Sequence, residues 1–164
     1  MTTFDFLILY TEVTIAFVAF STIVVTLRLA FGAKLSAIQE HLFRWFVESS
    51  FIAVFLGMLP VALNPIVGGG ADLWQIDMYA VVLVVVVYFP VYLRRRLKTG
   101  DRVPMISRFV IAGYGVAIVC MLAVITGLLW SPSAAIITAF LLWALASNMV
   151  LFVYFLKTFI GREH

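Results

Sequence analysis

The sequence contains little of what metal centres, disulfide scaffolds and most enzyme active sites are built from. It has one cysteine, Cys120, which allows no disulfide within the chain and no cysteine cage for a metal. Only 12% of its residues are charged, and its two histidines lie outside the long apolar runs. No G-x-S-x-G or H-E-x-x-H motif is present. We therefore expect a protein that is not an enzyme and that binds no metal or other cofactor.

Apolar residues take the place of these groups. They make up 65% of the chain, whose mean hydropathy is +1.15, and this is more apolar surface than one small globular core can bury. A membrane-spanning helix needs about 20 mostly apolar residues. Five segments meet or approach this length, at residues 5–27, 45–63, 78–93, 109–130 and 134–156. The sequence predicts an all-α integral membrane protein, a five-helix bundle that forms a single transmembrane domain over residues 1–164.

The basic residues predict the orientation of this bundle. All 11 lysines and arginines lie between the first and second spans, between the third and fourth spans, or after the fifth. Loops rich in lysine and arginine stay on the cytoplasmic side of a membrane, which predicts an N-terminus outside and a C-terminus in the cytoplasm. The opposite side carries Asp5, Asp72 and Asp77 and no cation. The positive charge thus reflects topology, and we expect the partner to be a lipid bilayer and not a nucleic acid.

One glutamate interrupts the first predicted span. Along a helix Glu12 lies about 10 Å from Asp5 and more than about 20 Å from Arg28, so no salt bridge is expected to reach it. An unpaired carboxylate in hydrocarbon costs several kcal/mol. We therefore expect Glu12 to be protonated, to lie against water, or to bond a polar side chain of another span, for which the candidates are Asn148, Ser147 and Tyr114.

Two groups of polar residues follow from this reasoning. Glu12, Ser21, Ser147 and Asn148 are predicted to form a polar core or an ion path within the membrane. Glu48 lies near the cytoplasmic end of the second span, where it can pair with Arg44 on its own helix or with Arg28 on the antiparallel first span. Arg28, Arg44 and Glu48 are predicted to form a cytoplasmic-side cluster that acts as a brace or as a gate.

Two functions are compatible with these features. Water at Glu12 would suit a cation or proton channel, and five spans are few for a pore within one chain, so such a channel would be a homo-oligomer. If Glu12 is instead a neutral acid that bonds a neighbouring helix, the chain suits a non-catalytic structural or assembly subunit of a larger membrane complex. The sequence leaves both open.

The first span also carries a recognisable pattern. It reads E-x3-A-F-x2-F-S, with the named positions at Glu12, Ala16, Phe17, Phe20 and Ser21. Arg28 and Arg44 follow, and M-L-P at residues 58–60 comes near the end of the second span. This pattern resembles a widespread group of small bacterial inner-membrane proteins of about five spans. The resemblance implies that architecture and a location in the bacterial inner membrane, and it implies no activity.

Overall fold

The protein is a bundle of five α-helices. The computed structural model describes residues 2–32, 34–97 and 105–160, and these residues contain no strand. The helices are α1 (Thr3–Ala30), α2 (Ala37–Val67), α3 (Ala71–Leu97), α4 (Met105–Ile125) and α5 (Ala134–Ile160). Each is long and apolar enough to cross a membrane. The predicted all-α architecture of five possible spans is confirmed.

Several helices begin earlier than the apolar runs suggest. The second begins at residue 37 instead of 45, and the third at residue 71 instead of 78. Hydropathy marks only the part of a helix that matches hydrocarbon, whereas the start of a helix is set by its cap. At α2 the Ser36 side chain accepts a hydrogen bond from the Gln39 amide, and the Gln39 side chain accepts one from the Ser36 amide. This capping box fixes a start well before the apolar run.

The fourth helix ends before its predicted limit. α4 ends at Ile125, whereas the apolar run continues to Trp130. Gly127 adopts a φ of 74°, in the left-handed region that ends helices and that favours glycine. The connection to α5 is therefore longer than the short turn expected at residues 130–133.

The second helix lies at the centre of the bundle. It packs against α1, α3 and α5, and α4 packs against α3 and α5. Near the start of α2, Phe43 packs on Phe155 from the last turns of α5, with ring centroids 5.6 Å apart. Trp45 packs in the same way on Tyr92 from the last turns of α3, at 4.3 Å. Both partner helices are thus antiparallel to α2.

This arrangement places the described basic side chains at one end of the bundle, together with Glu40 and Glu48, and leaves only acidic charges at the other end. We call the end that holds Arg28, Arg44 and Arg95 the basic end, and the end that holds Asp5 and Asp72 the acidic end. Other residues that bear on the predicted orientation lie outside the described residues, namely Lys98, Arg102, Arg162 and His164.

The apolar core is divided into two clusters along the bundle axis. The aliphatic cluster lies toward the acidic end, and its buried members include Leu7, Leu56, Met78, Ile137 and Leu141. The aromatic cluster lies toward the basic end, and its buried members include Trp45, Phe46, Tyr92, Phe152 and Phe155. Between the two clusters the interior is polar.

Candidate functional site: a polar layer and an ion-pair cluster

Polar side chains of α2 and α5 lie between the two apolar clusters. On α2, Ser49 and Ser50 separate Phe46 from Ala53, and on α5 a Ser-Asn pair separates core residues in the same way. The spacing of one helical turn on each side places all these groups at one depth. We call this set the polar layer: Ser49, Ser50, Ser147 and Asn148. Thr11 lies nearer the acidic end, because its hydroxyl is next to Gly57, about 10 Å along α2 from Ser50.

Asn148 is the centre of the polar layer. Its side chain is only 1% exposed. Its amide nitrogen donates to the Ser50 hydroxyl at 3.0 Å, and its carbonyl oxygen accepts from the Ser49 hydroxyl at 2.8 Å. Ser49 also donates to the Phe46 carbonyl at 3.2 Å. Asn148 therefore connects α5 to two successive residues of α2 and fixes their register.

Three hydroxyls in or near the layer have no partner among the described residues. The hydroxyls of Thr11, Ser147 and Tyr10 are buried and form no hydrogen bond there. Tyr10 and Ser147 both lie within interaction range of the Tyr114 hydroxyl. Buried polar atoms are nearly always satisfied, so this group of hydroxyls is where water is expected to bind.

A small cavity lies next to the polar layer. It has a volume of about 60 Å³, is lined by residues of α2, α3, α4 and α5, and is partly open at the surface of the bundle. Most of its lining is apolar, but Ser49, Tyr88 and Tyr114 contribute to it. A site for one water needs about 10–15 Å³ in such a measure and several polar neighbours, so the cavity has room for more than one water molecule. It extends from the polar layer to the group of residues around Glu48.

Glu48 is the centre of an ion-pair cluster near the basic end. Arg44, one turn earlier on α2, donates to the Glu48 carboxylate at 2.7 Å. Arg95 on α3 donates to both carboxylate oxygens, at 2.9 and 2.7 Å, and the Tyr88 hydroxyl donates at 3.1 Å. We call these four residues the Glu48 cluster, and it ties α2 to α3.

Aromatic rings cover this cluster. Tyr92 stacks on His41 with centroids 5.3 Å apart and packs against Trp45. Sequence reasoning did not assign Arg95 or Tyr88 to the cluster, because the arginines after the third span were interpreted only as a sign of topology. The signal was available in the spacing of Tyr88, Tyr92 and Arg95, which four and then three residues separate on one helical face.

The predicted site residues do not come together as one group. Ser147 and Asn148 lie in the polar layer, whereas Ser21 is fully buried within the aromatic cluster between Val18 and Val25, and its hydroxyl has no partner among the described residues. Arg44 and Glu48 form an ion pair, as the spacing suggested. Arg28 is half-buried in the last turn of α1 at the same end.

Glu12 lies apart from all of these residues. The structure does not bring it to Asn148, whose side chain is bonded to Ser49 and Ser50 instead. The buried face of α1 includes Tyr10 and Thr14, and at about 100° per residue Glu12 lies roughly 200° around the helix from Tyr10. Its side chain is exposed on the outer surface of the bundle and bonds no described residue.

Comparisons with known proteins add nothing to this description. No protein-family model, no curated protein and no solved structure matches the chain. The resemblance to small five-span inner-membrane proteins stays a prediction. The function has to be argued from the geometry of the polar layer and the Glu48 cluster.

Proposed function

We propose that the protein conducts protons across a bacterial inner membrane through the interior of its helix bundle. This proposal rests on the polar layer centred on Asn148. At this depth of the bundle a packed apolar core would be more stable than a polar one. The hydroxyls in or near this layer that have no hydrogen-bond partner among the described residues, and the neighbouring cavity, offer sites for water. The Glu48 cluster continues the polar groups toward the basic end.

The size of the interior favours protons over larger cations. On α2 the polar residues Glu48, Ser49 and Ser50 are consecutive, and the six residues from Phe51 to Leu56 are apolar. Gly57, which packs beside Tyr10, lies about 10 Å from Ser50 along the helix. A cavity of about 60 Å³ between two packed apolar clusters has no room for the hydration shell of a metal cation. Hydroxyls, amides and a few water molecules can transfer a proton without an open pore.

The Glu48 cluster has the properties of a gate in this proposal. The Arg44 side chain is 58% exposed and that of Arg95 is 39% exposed, so either can leave Glu48 and regain water at low cost. Departure of an arginine frees a carboxylate oxygen that can accept a proton. By the positive-inside tendency, the basic end and both arginines of the Glu48 cluster face the cytoplasm, and the N-terminus lies outside.

A second candidate function places the path between copies of the chain. Glu12 is exposed on α1 at the depth of the hydrocarbon, where an isolated carboxyl is costly. Next to it a groove of about 420 Å³ runs between α1 and α2, lined among others by Ile15, Ala19 and Thr22. Copies packed along this face would bring their Glu12 carboxyls together and form a cation channel as a homo-oligomer.

The third candidate is a non-catalytic structural or assembly subunit of a larger membrane complex. In that case Asn148 and Glu48 only brace α2 against α5 and α3. Polar side chains that bond between helices do stabilise membrane bundles, so the same contacts serve this function equally well. This alternative predicts that the purified protein conducts nothing.

Flux into liposomes separates the three candidates. Wild type, Asn148→Leu, Glu12→Gln and the control Thr126→Val are reconstituted at equal density, and internal pH is followed with a dye under an imposed potential. Thr126 is a suitable control because it is exposed and bonds only carbonyls of its own helix. We expect proton flux in wild type, Glu12→Gln and Thr126→Val, and at least a tenfold loss in Asn148→Leu. Loss in Glu12→Gln alone would favour the path between copies, and no flux in any form would favour the structural subunit.

A further inference from the structure

Asp77 is the most completely buried carboxyl group in the described chain. It is 0% exposed, and neither of its side-chain oxygens has a hydrogen-bond partner among the described residues. The sequence suggested that it would lie outside the membrane, next to Asp72. Because α3 begins at Ala71, Asp77 instead lies nearly two turns inside the helix, and its helix neighbours Leu73 and Met78 are also 0% exposed.

No basic side chain of the described residues is placed to neutralise this carboxyl. The lysines, arginines and histidines that the structure describes lie near the basic end or in the connection between α1 and α2. The helices packed against α3 are α2, α4 and α5. From residue 49 onward α2 has no titratable side chain, and neither has α5 before residue 154. The titratable groups in the acidic half of the bundle are all acids or neutral groups: Asp5, Tyr10, Glu12, Asp72, Tyr79, Tyr114 and Cys120.

These surroundings determine which form of Asp77 can be accommodated. An ionised carboxylate with no hydrogen bond and no counter-charge is strongly disfavoured in an apolar interior, whereas a neutral carboxylic acid is much less so. Asp5 does not compete for the same role, because it is exposed and accepts a hydrogen bond from the Thr2 amide at 2.7 Å.

We propose that Asp77 is a proton-binding site of this protein, holding its carboxyl group in the protonated form at neutral pH inside the acidic half of the bundle. This inference deepens the proposed function and rests on it for its role in conduction. The occupant is a proton, since among the described residues Asp77 belongs to no group of three or more histidine, cysteine, aspartate or glutamate side chains that could hold a metal ion.

The position of Asp77 suits an entry to the polar layer. α1 and α3 run in the same direction, and Phe4 stacks on Trp74 with centroids 6.1 Å apart. Equal rise along both helices then places Asp77 level with Leu7, about one turn from the unpartnered hydroxyl of Tyr10. Along α3, Asp77 lies about 16 Å from Tyr88 of the Glu48 cluster. Asp77 and Glu48 are thus carboxyl groups at opposite ends of the same interior path.

Infrared spectroscopy of the reconstituted full-length protein tests this site. Protein labelled with carbon-13 in the aspartate side chains separates the aspartate carboxyl signal from that of Glu12. We expect a carboxylic acid band from labelled aspartate at neutral pH, lost in Asp77→Asn and retained in the control Asp72→Asn. Asp72 is a matched control because it is exposed on the same helix. Absence of the band in wild type, or its persistence in Asp77→Asn, would overturn the proposal.

Proton flux in the same liposomes separates this inference from the proposed function. We expect Asp77→Asn to lose at least tenfold in flux and Asp72→Asn to match wild type. If the aspartate band is present but wild type conducts no protons, the proposed function is wrong and the proton-binding site stands. If wild type conducts protons and Asp77→Asn keeps both the aspartate band and the wild-type flux, the site is wrong and the function stands. Should Asp77→Asn fail to fold, Asp77→Glu provides the test, since it must move the acid band from the labelled aspartate to the unlabelled glutamate region.

Discussion

Replacement of Asn148 by leucine tests the polar layer with a magnitude that follows from its contacts. Leucine has a similar volume, so the change removes two hydrogen bonds, to Ser49 and Ser50, and creates little empty space. Hydrogen bonds between helices in membrane proteins contribute about 0.6 kcal/mol each on average and up to about 1.7 kcal/mol. We therefore expect Asn148→Leu to lower the free energy of unfolding by about 1–2 kcal/mol.

Removing the partners of Asn148 as well distinguishes a lost hydrogen bond from a packing defect. In Asn148→Leu the Ser50 hydroxyl is left in a fully buried position without its donor. In the triple variant Ser49→Ala, Ser50→Ala, Asn148→Leu no such group remains, and replacing both partners by apolar groups is close to neutral. The losses in free energy of unfolding measured for Ser49→Ala, Ser50→Ala and Asn148→Leu separately should therefore add up to at least about 0.5 kcal/mol more than the loss in the triple variant.

The assay has two readouts on the same preparations. Equilibrium unfolding in mixed micelles gives the free energies, and proteoliposomes give the proton flux. We expect the triple variant to recover stability and to remain at least tenfold below wild type in flux. Additive destabilisation would refute the hydrogen-bond reasoning. Recovery of stability together with flux would show that the polar layer only supports the fold.

Further predictions concern other contacts of the bundle. A methyl group at Gly113 would overlap the Trp143 ring, so Gly113→Ala should lower the free energy of unfolding by about 1–3 kcal/mol. The control Gly115→Ala, which meets open space, should raise it slightly in thermal or micellar unfolding. Arg95→Gln should lower the free energy of unfolding more than Arg44→Gln, because Arg95 contacts both Glu48 oxygens and is less exposed. Each loss should be about 0.2–1 kcal/mol. Equal losses in the two variants would contradict the assigned geometry. Glu12→Gln should leave the stability of the monomer unchanged, since Glu12 bonds no described residue; a clear loss in monomeric micelles would place it in a contact within the chain.

The architecture followed from the sequence because a membrane restricts it so strongly. Segments of about 20 apolar residues have few alternatives to a spanning helix, and all five were found. The helix ends were less accessible to sequence reasoning. The Ser36 capping box lies outside the apolar runs, and the left-handed Gly127 ends α4 inside one, so hydropathy carries no information about either.

Which face of a helix is buried could not be predicted in α1. The face with Glu12, Ala16 and Ala19 collects small and polar residues at helical spacing, but it is exposed. In a soluble helix the buried face is the apolar one, whereas lipid solvates apolar side chains on either side. The buried face of α1 is set by its packing against α2 and α5, and this packing depends on residues distant in sequence.

The site was predicted in part for the same reason. Ser147 and Asn148 stood out as polar residues in an apolar span, but their partners on α2 are about a hundred positions away in the sequence and no local spacing reveals them. Asp77 was assigned to the outside because the start of α3 was placed too late. Its burial follows only from the true helix start at Ala71.

Reversal potential is the measurement that tests the central claim most directly. Purified wild-type protein in a planar bilayer is exposed first to a proton gradient and then to a potassium gradient at equal pH on both sides. If protons move through the bundle interior, the reversal potential shifts by about 59 mV for each tenfold ratio of proton concentrations and stays at zero under potassium alone. A reversal potential that follows potassium, or a bilayer that passes no current, would contradict the account.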